Sequence, residues 1–400
     1  MTPQAGRGQT SGATRALLDM LALSLGGAVA LGFARFAYAL LLPVMRADLN
    51  WSFTLSGSMN AVNALGYLLG ALSAGWLSGR VGLRRTFVAG MLLTAVSLLA
   101  CALTSASGAL LLWRLLAGLG GAWVFVSGGG LAALAARAHP EHSARLLGVF
   151  YGGAGIGIVL SALLLPPLLT GGWRGAWVAL GATSLLCLAL TLRALRRLPD
   201  RAPALPEGEG PTSLQPLGFT LAAYACFGVG YIAYMTFIVA FLRSLGAEAL
   251  VTPFWTLLGV CVMINPFVWG PLMTRAAGAR AMSLLMLLLC AGAALPLIAP
   301  YPAALLLSAV LFGLSFLAVV TFTTVITRRA LPEYAWARGI AVFTSVFALG
   351  QVAGPLLTGL AADSAGGLRL GLALSAAVLL LGAGLALGQP AQAPTTTHDV

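Results

Sequence analysis

The sequence predicts an all-α membrane protein of twelve transmembrane helices arranged as two six-helix bundles. Three observations carry that expectation. Of 400 residues, 60% are hydrophobic and only 8% are charged, where soluble domains carry roughly 25%. Apolar runs of about 20 residues, each long enough to cross a hydrocarbon core of about 30 Å, recur from end to end. A single extended polar stretch, Arg193 to Gln215, divides those runs into six and six.

Windows of about 19 residues place the first six spans at 20–44, 54–78, 86–103, 109–134, 146–169 and 176–195. The second six fall at 217–242, 251–273, 282–299, 303–326, 337–361 and 370–387. The expected organisation is an N-terminal bundle over 1–192, a cytoplasmic linker over 193–215, a C-terminal bundle over 216–390 and a disordered tail over 391–400. Arg7 and Arg15 precede the first apolar stretch as they would in a signal peptide. That stretch lacks a small-residue cleavage site, so it reads as a retained helix.

The net charge is +12 and every cation is an arginine. The arginines sit in short loops and form no continuous stripe, so nucleic acid is not an expected partner. With the N-terminus inside, the inner segments hold sixteen arginines and the outer loops only Arg46, Arg174, Arg243 and Arg369. This bias predicts a multi-pass membrane protein with both termini cytoplasmic. The five cysteines lie in apolar stretches without CxxC spacing and read as small core residues. No cofactor or metal is expected; the expected partners are the lipid bilayer and a small-molecule substrate, with or without a coupling ion, and the expected state is a monomer.

The halves repeat. Gly32 pairs with Gly228, Tyr38 with Tyr234, Arg80 with Arg275, and Arg145 with Arg338, at offsets between 193 and 196. Duplicated bundles are what alternating access uses, because two similar bodies can rock about a site.

Several stretches resemble the major facilitator superfamily. Gly75-Trp-Leu-Ser-Gly79-Arg80-Val-Gly82-Leu83-Arg84-Arg85 is similar to that family's inner-loop signature, with Gly79 in place of Asp and Leu83 in place of Arg. Arg114-Leu-Leu-Ala-Gly118 resembles its span-four element. Gly148 to Gly157 and Gly350-Gln-Val-Ala-Gly354-Pro355 resemble its glycine-rich helices. Gly32-Phe-Ala-Arg35-Phe-Ala-Tyr38 and Asn63-Ala-Leu-Gly66-Tyr67 are similar to the YbfB/YjiJ-like branch. The resemblance implies the family's fold, with pseudo-two-fold symmetry and spans one and seven lining a central cavity. It also implies a conformational or proton-coupling role for Arg114.

The residues themselves suggest a site. Arg35 lies near mid-bilayer, where a charge costs roughly 2.5–3.5 kcal/mol on the lenient insertion scale. It should therefore face water or a partner group, and Tyr38 shares its helical face. Arg114 is shallower, so snorkelling is an alternative to function. Asn60, Asn63 and Tyr67 are spaced for one face of span two, either toward substrate or toward neighbouring helices. Tyr231 and Tyr234 stand in span seven where the repeat puts Arg35 and Tyr38. Asn265, with a helix break expected at Pro266, and Gln351 offer mid-depth amides; Trp123, Tyr151 and Thr324 complete the expected substrate-contacting set. Arg80, Arg84, Arg85, Arg114, Gly118, Gly152, Gly155, Gly354 and Pro355 form the expected gating set.

Every acid falls at a span end, in the linker or in the tail. The leading reading is a transporter of a small solute, with Arg35 favouring an organic anion. An exporter of hydrophobic compounds and a non-transporting sensor are the alternatives. Catalysis is not expected, since there is no HExxH and no pair of acids at membrane depth; Gly152 to Gly157 imitates a dinucleotide loop but follows no strand.

Overall fold

The computed structural model describes residues 5–198, 200, 214, 217–275, 279–332 and 335–389. The expected tail and most of the expected linker lie outside these residues. The first span is built from α1 (Ala5–Gly27), a π-helical segment (Ala28–Phe36) and α2 (Tyr38–Asp48). Next come α3 (Phe53–Val81), α4 (Leu83–Cys101), α5 (Ser107–Ala138), α6 (Ser143–Leu169) and α7 (Trp173–Leu195). The second half holds α8 (Gly218–Ser244), α9 (Glu248–Arg275), α10 (Ala279–Ile298), α11 (Pro302–Ala330), α12 (Trp336–Ala362) and α13 (Gly367–Leu387).

Among the described residues, twelve helices are long and apolar enough to cross a membrane. Lipid cannot satisfy a free backbone group, so an apolar chain of this kind closes its hydrogen bonds within helices. The expected break at Asn265-Pro266 does not occur: α9 is helical throughout. Proline removes one donor from the ladder, and a membrane helix absorbs that loss without ending.

The described chain forms two compact units. Unit 1 comprises residues 1–49 and 62–203; unit 2 comprises 50–61 and 204–400. The first turns of α3 thus pack with the second half of the sequence, although they precede the expected boundary at 192.

Within each unit, glycines bring backbones together. A side chain on Gly32 would collide with Gly157 on α6, and one on Gly157 would collide with the Ala28 carbonyl. In unit 2 a Cβ on Gly228 would meet the Phe347 carbonyl at 2.6 Å, and one on Gly350 would lie 3.1 Å from the Gly228 backbone. These are equivalent crossings, because 228 − 32 is 196 and 350 − 157 is 193, the ends of the offset range read from the sequence. Gly152 and Gly155, expected to gate, are buried on the same helix. Close approach to α1 and the π segment falls at Gly153 and Gly157. Gly354 approaches the Val229 carbonyl in the same manner.

Candidate functional site

The polar centre of unit 1 is organised by the π-helical segment. Its wider turn is closed by the bond from Ala37 N–H to the Gly32 carbonyl, five residues back, at 2.8 Å. Such segments recur at functional positions because they displace side chains from the ordinary α register. The displacement separates two residues that the sequence puts on one face. The Arg35 guanidinium lies over the Tyr67 ring of α3, 5.4 Å from its centroid. Tyr38 instead lies beneath Arg114, at 4.9 Å.

Arg114 projects inward from α5. It is 1% exposed, donates from Nη1 to the Ala34 carbonyl and also overlies the Trp177 ring at 5.5 Å. Snorkelling toward water is therefore excluded for Arg114. A buried guanidinium tolerates this position because two ring faces and a carbonyl replace part of its hydration. Of the two expectations for Arg35, water or a partner group, this structure shows the second: Arg35 is 2% exposed and lies over the Tyr67 ring.

The α3–α5 contact fixes this geometry. Gly66 and Gly70 press on the Leu115 and Leu119 carbonyls, and Gly118 presses on the Asn63 carbonyl. Asn63 donates from Nδ2 to the Arg114 carbonyl at 2.9 Å. Trp123 donates from Nε1 to Ser73 Oγ at 2.9 Å. Tyr151 is half exposed and packs edge-on against Phe150.

Among the described residues of unit 2 no arginine is buried, and rings take the centre instead. Tyr224, Phe227, Tyr231 and Tyr234 recur at three- and four-residue spacing along one face of α8. Phe227 stacks on Tyr231 at 4.8 Å, and Tyr231 stacks on Phe347 at 5.6 Å and on Phe316 at 5.7 Å. Tyr234 stacks on Phe312 at 4.2 Å and shares a hydrogen bond with Ser308 at 2.5 Å. Gln351 donates to the Tyr231 hydroxyl. Asn60 donates to Thr236 Oγ1 at 2.8 Å. Asn265 and Trp269 both donate to the Leu314 carbonyl, joining α9 to α11. Thr324 is half-buried, with its hydroxyl toward the Val320 carbonyl. Pro355 lies inside the continuous α12, its carbonyl against Gly57.

The arginines around the end of α3 divide. Arg80 is exposed and stacks on the Trp76 ring at 4.3 Å. Arg84 donates from its side chain to the Leu198 carbonyl, just past α7, and from its backbone N–H to Asp200 at 2.8 Å. Arg85 is exposed. Among the described residues no three His, Cys, Asp or Glu side chains gather where a metal ion could sit.

A family model described as the uncharacterised MFS-type transporter YbfB matches residues 27–387. The chain belongs to the YbfB-like family of major facilitator transporters.

The likeness to individual members is looser. A Haemophilus influenzae protein named "Putative metabolite transport protein" is 34% identical over 149 residues, 37% of this chain and 36% of the relative. The match thus spans about a third of that relative's length. Among solved structures, a bacterial homologue of the human lysosomal transporter Spinster, in its occupied form, superposes with a TM-score of 0.73 at 15% identity. That superposition covers 92% of this transporter and 96% of the other chain. A single-residue mutant of the nucleoside transporter NupG gives 0.70 at 14% identity, covering 94% and 98%. At such identities the likeness establishes the fold. The chain is accordingly a multi-pass membrane protein of the MFS fold.

Several residues of these clusters escape sequence reading. Phe312, Phe316, Phe343 and Phe347 join the Tyr231 run, and the only signal is their i, i+4 spacing on two spans. Trp177 stands at the start of the expected span six, 176–195, and carries no signal in the sequence.

Proposed function

We propose that this transporter carries a small organic anion by alternating access, with Arg35 as the group that recognises its charge. The supporting observation is the sign of the charge buried in unit 1. Two guanidiniums are buried, while four of the described carboxylates bond near the ends of spans. Asp19 pairs with Arg197 at 3.3 Å, Asp48 accepts from Trp173, and Asp200 and Asp363 accept backbone N–H groups. A positive interior among apolar helices favours an anionic guest, which offsets the cost of holding the cation there.

Arg35, set over the Tyr67 ring, is the group assigned to charge recognition, with Tyr67 beside it. Arg35 is closed to solvent, so solute binding calls for a second conformation. Duplicated halves supply a physical route to one. The reading also includes a bacterial cytoplasmic-membrane location with both termini inside, supported by the sixteen-to-four arginine bias, and it includes no catalytic step.

The test begins with thermal shift of the detergent-purified protein against mono- and dicarboxylates, organic cations and neutral lipophiles. Stabilising compounds are then followed into proteoliposomes. A carboxylate should raise the melting temperature and be taken up, and Arg35→Ala should abolish its uptake. Unchanged carboxylate uptake by Arg35→Ala rules the role out.

The aromatic run Tyr224, Phe227, Tyr231, Phe347, Phe316 favours a second reading, export of hydrophobic or drug-like compounds. Stabilisation by neutral lipophiles alone, with lipophile sensitivity in a strain lacking the gene, would support that reading over the first.

A further inference from the structure

The N-terminus of α3 receives its cap from a residue about 310 positions away. Asp363, immediately after α12, accepts the Phe53 N–H through Oδ1 at 2.7 Å. Its Oδ2 accepts the Thr54 N–H at 2.8 Å and the Thr54 hydroxyl at 2.7 Å. The first backbone N–H groups of a helix have no partner within it, so a carboxylate there satisfies donors and meets the positive end of the dipole together. Ordinary caps are local; this one joins two helices far apart in sequence.

Four further contacts within unit 2 act on the same turns of α3. Asn60 donates to Thr236 on α8 at 2.8 Å. Phe53 meets Phe237 edge-on at 6.2 Å. Gly57 fits against the Pro355 carbonyl, and Gly359 fits against the Phe53 carbonyl, where a Cβ would lie at 2.6 Å. Two glycines thus remove the bulk that would hold α3 off α12, while two polar groups fix its register. The polar share can be undone without opening a cavity, because a hydrogen bond exchanges with water far more readily than packed apolar surface does.

We infer that Asp363 and Asn60 form a clasp that holds residues 53–60 of α3 on α8 and α12, and that loss of either group raises the population of a released state without unfolding the rest of the protein. The inference is independent of the identity of the solute. Released and clasped forms exchange in the native protein, and their ratio is set by these bonds.

Maleimide labelling tests it. Ser56 is fully buried on this segment, so Ser56→Cys places a thiol that reacts only when the segment comes away. All five native cysteines are retained and each site is read by peptide mass spectrometry in detergent-purified full-length protein. Cys101 and Cys187 in unit 1 and Cys261 in unit 2 are buried and report unfolding. Asp363→Asn should raise labelling at position 56 by about tenfold, the size expected for losing a charge-assisted bond pair. The three control cysteines should not change, and Asp363→Glu should lie between the two. Equal labelling in wild type and Asp363→Asn overturns the clasp, as does a parallel rise at every cysteine. Should Asp363→Asn not fold, Asn60→Ala carries the test, with a smaller rise confined to position 56 expected and no rise overturning the inference.

Discussion

Asn60 and Asn63 stand one turn apart on α3 yet donate within different units: Asn60 to Thr236 at 2.8 Å and Asn63 to the Arg114 carbonyl at 2.9 Å. The helix changes allegiance between Ala61 and Val62. Asn63 is almost fully buried, so its removal leaves a buried carbonyl short of a donor. Asn63→Ala should destabilise by roughly 1–3 kcal/mol, read as a lower melting temperature by tryptophan fluorescence in detergent. An unchanged value would mean that the bond contributes nothing net.

The α3–α5 contact leaves no room at Gly118, where a methyl group would collide with the Asn63 carbonyl. Gly79, near the end of α3, has open space around it. Gly118→Ala should sharply lower folded yield and melting temperature. Gly79→Ala should be neutral or stabilising by about 0.5–1 kcal/mol, the helix-interior difference between the two residues. Size-exclusion yield and melting temperature of the pair decide it.

Replacing Arg114 by Lys keeps the charge and loses the planar fork that reaches Ala34 while covering Tyr38 and Trp177. A compact ammonium is more strongly hydrated and stacks less well. Arg114→Lys should lower the melting temperature by several degrees. It should also alter the emission of the Trp177 environment, measured against a Trp177→Phe control.

Asp200 caps α4 at the Arg84 N–H, and Arg84 ties the Leu198 carbonyl. Loss of a cap costs about 1 kcal/mol. Asp200→Ala should therefore speed limited trypsin cleavage after Arg196 and Arg197 by several-fold, followed on a gel as two half-size fragments. Cleavage at the wild-type rate would show that the tie does not hold the segment.

The twelve spans were legible because hydropathy over about 19 residues reports the thickness of the solvent, and that quantity is local. The repeat was legible because glycine crossings tolerate nothing else. The π segment left no local mark: Ala28 to Phe36 reads as ordinary apolar helix, and only contact with Arg114 and α6 exposes it. For the same reason Tyr38 could not be assigned its partner, since the i, i+3 rule assumes an α turn. Asp363 was visible only as an acid at a span end. A reader asking where the Phe53 and Thr54 N–H groups find acceptors would have sought a distant carboxylate, but sequence alone does not say which.

One glycine crossing recurs in both halves at equivalent positions. A substitution at Gly32, Gly157, Gly228 or Gly350 would push two backbones apart, so these positions are constrained by contact whatever chemistry stands beside them. Position 35 and its twin 231, 196 residues on, carry a guanidinium in one half and a phenol in the other. The same kind of crossing thereby supports two chemically unlike clusters, one cationic and one aromatic.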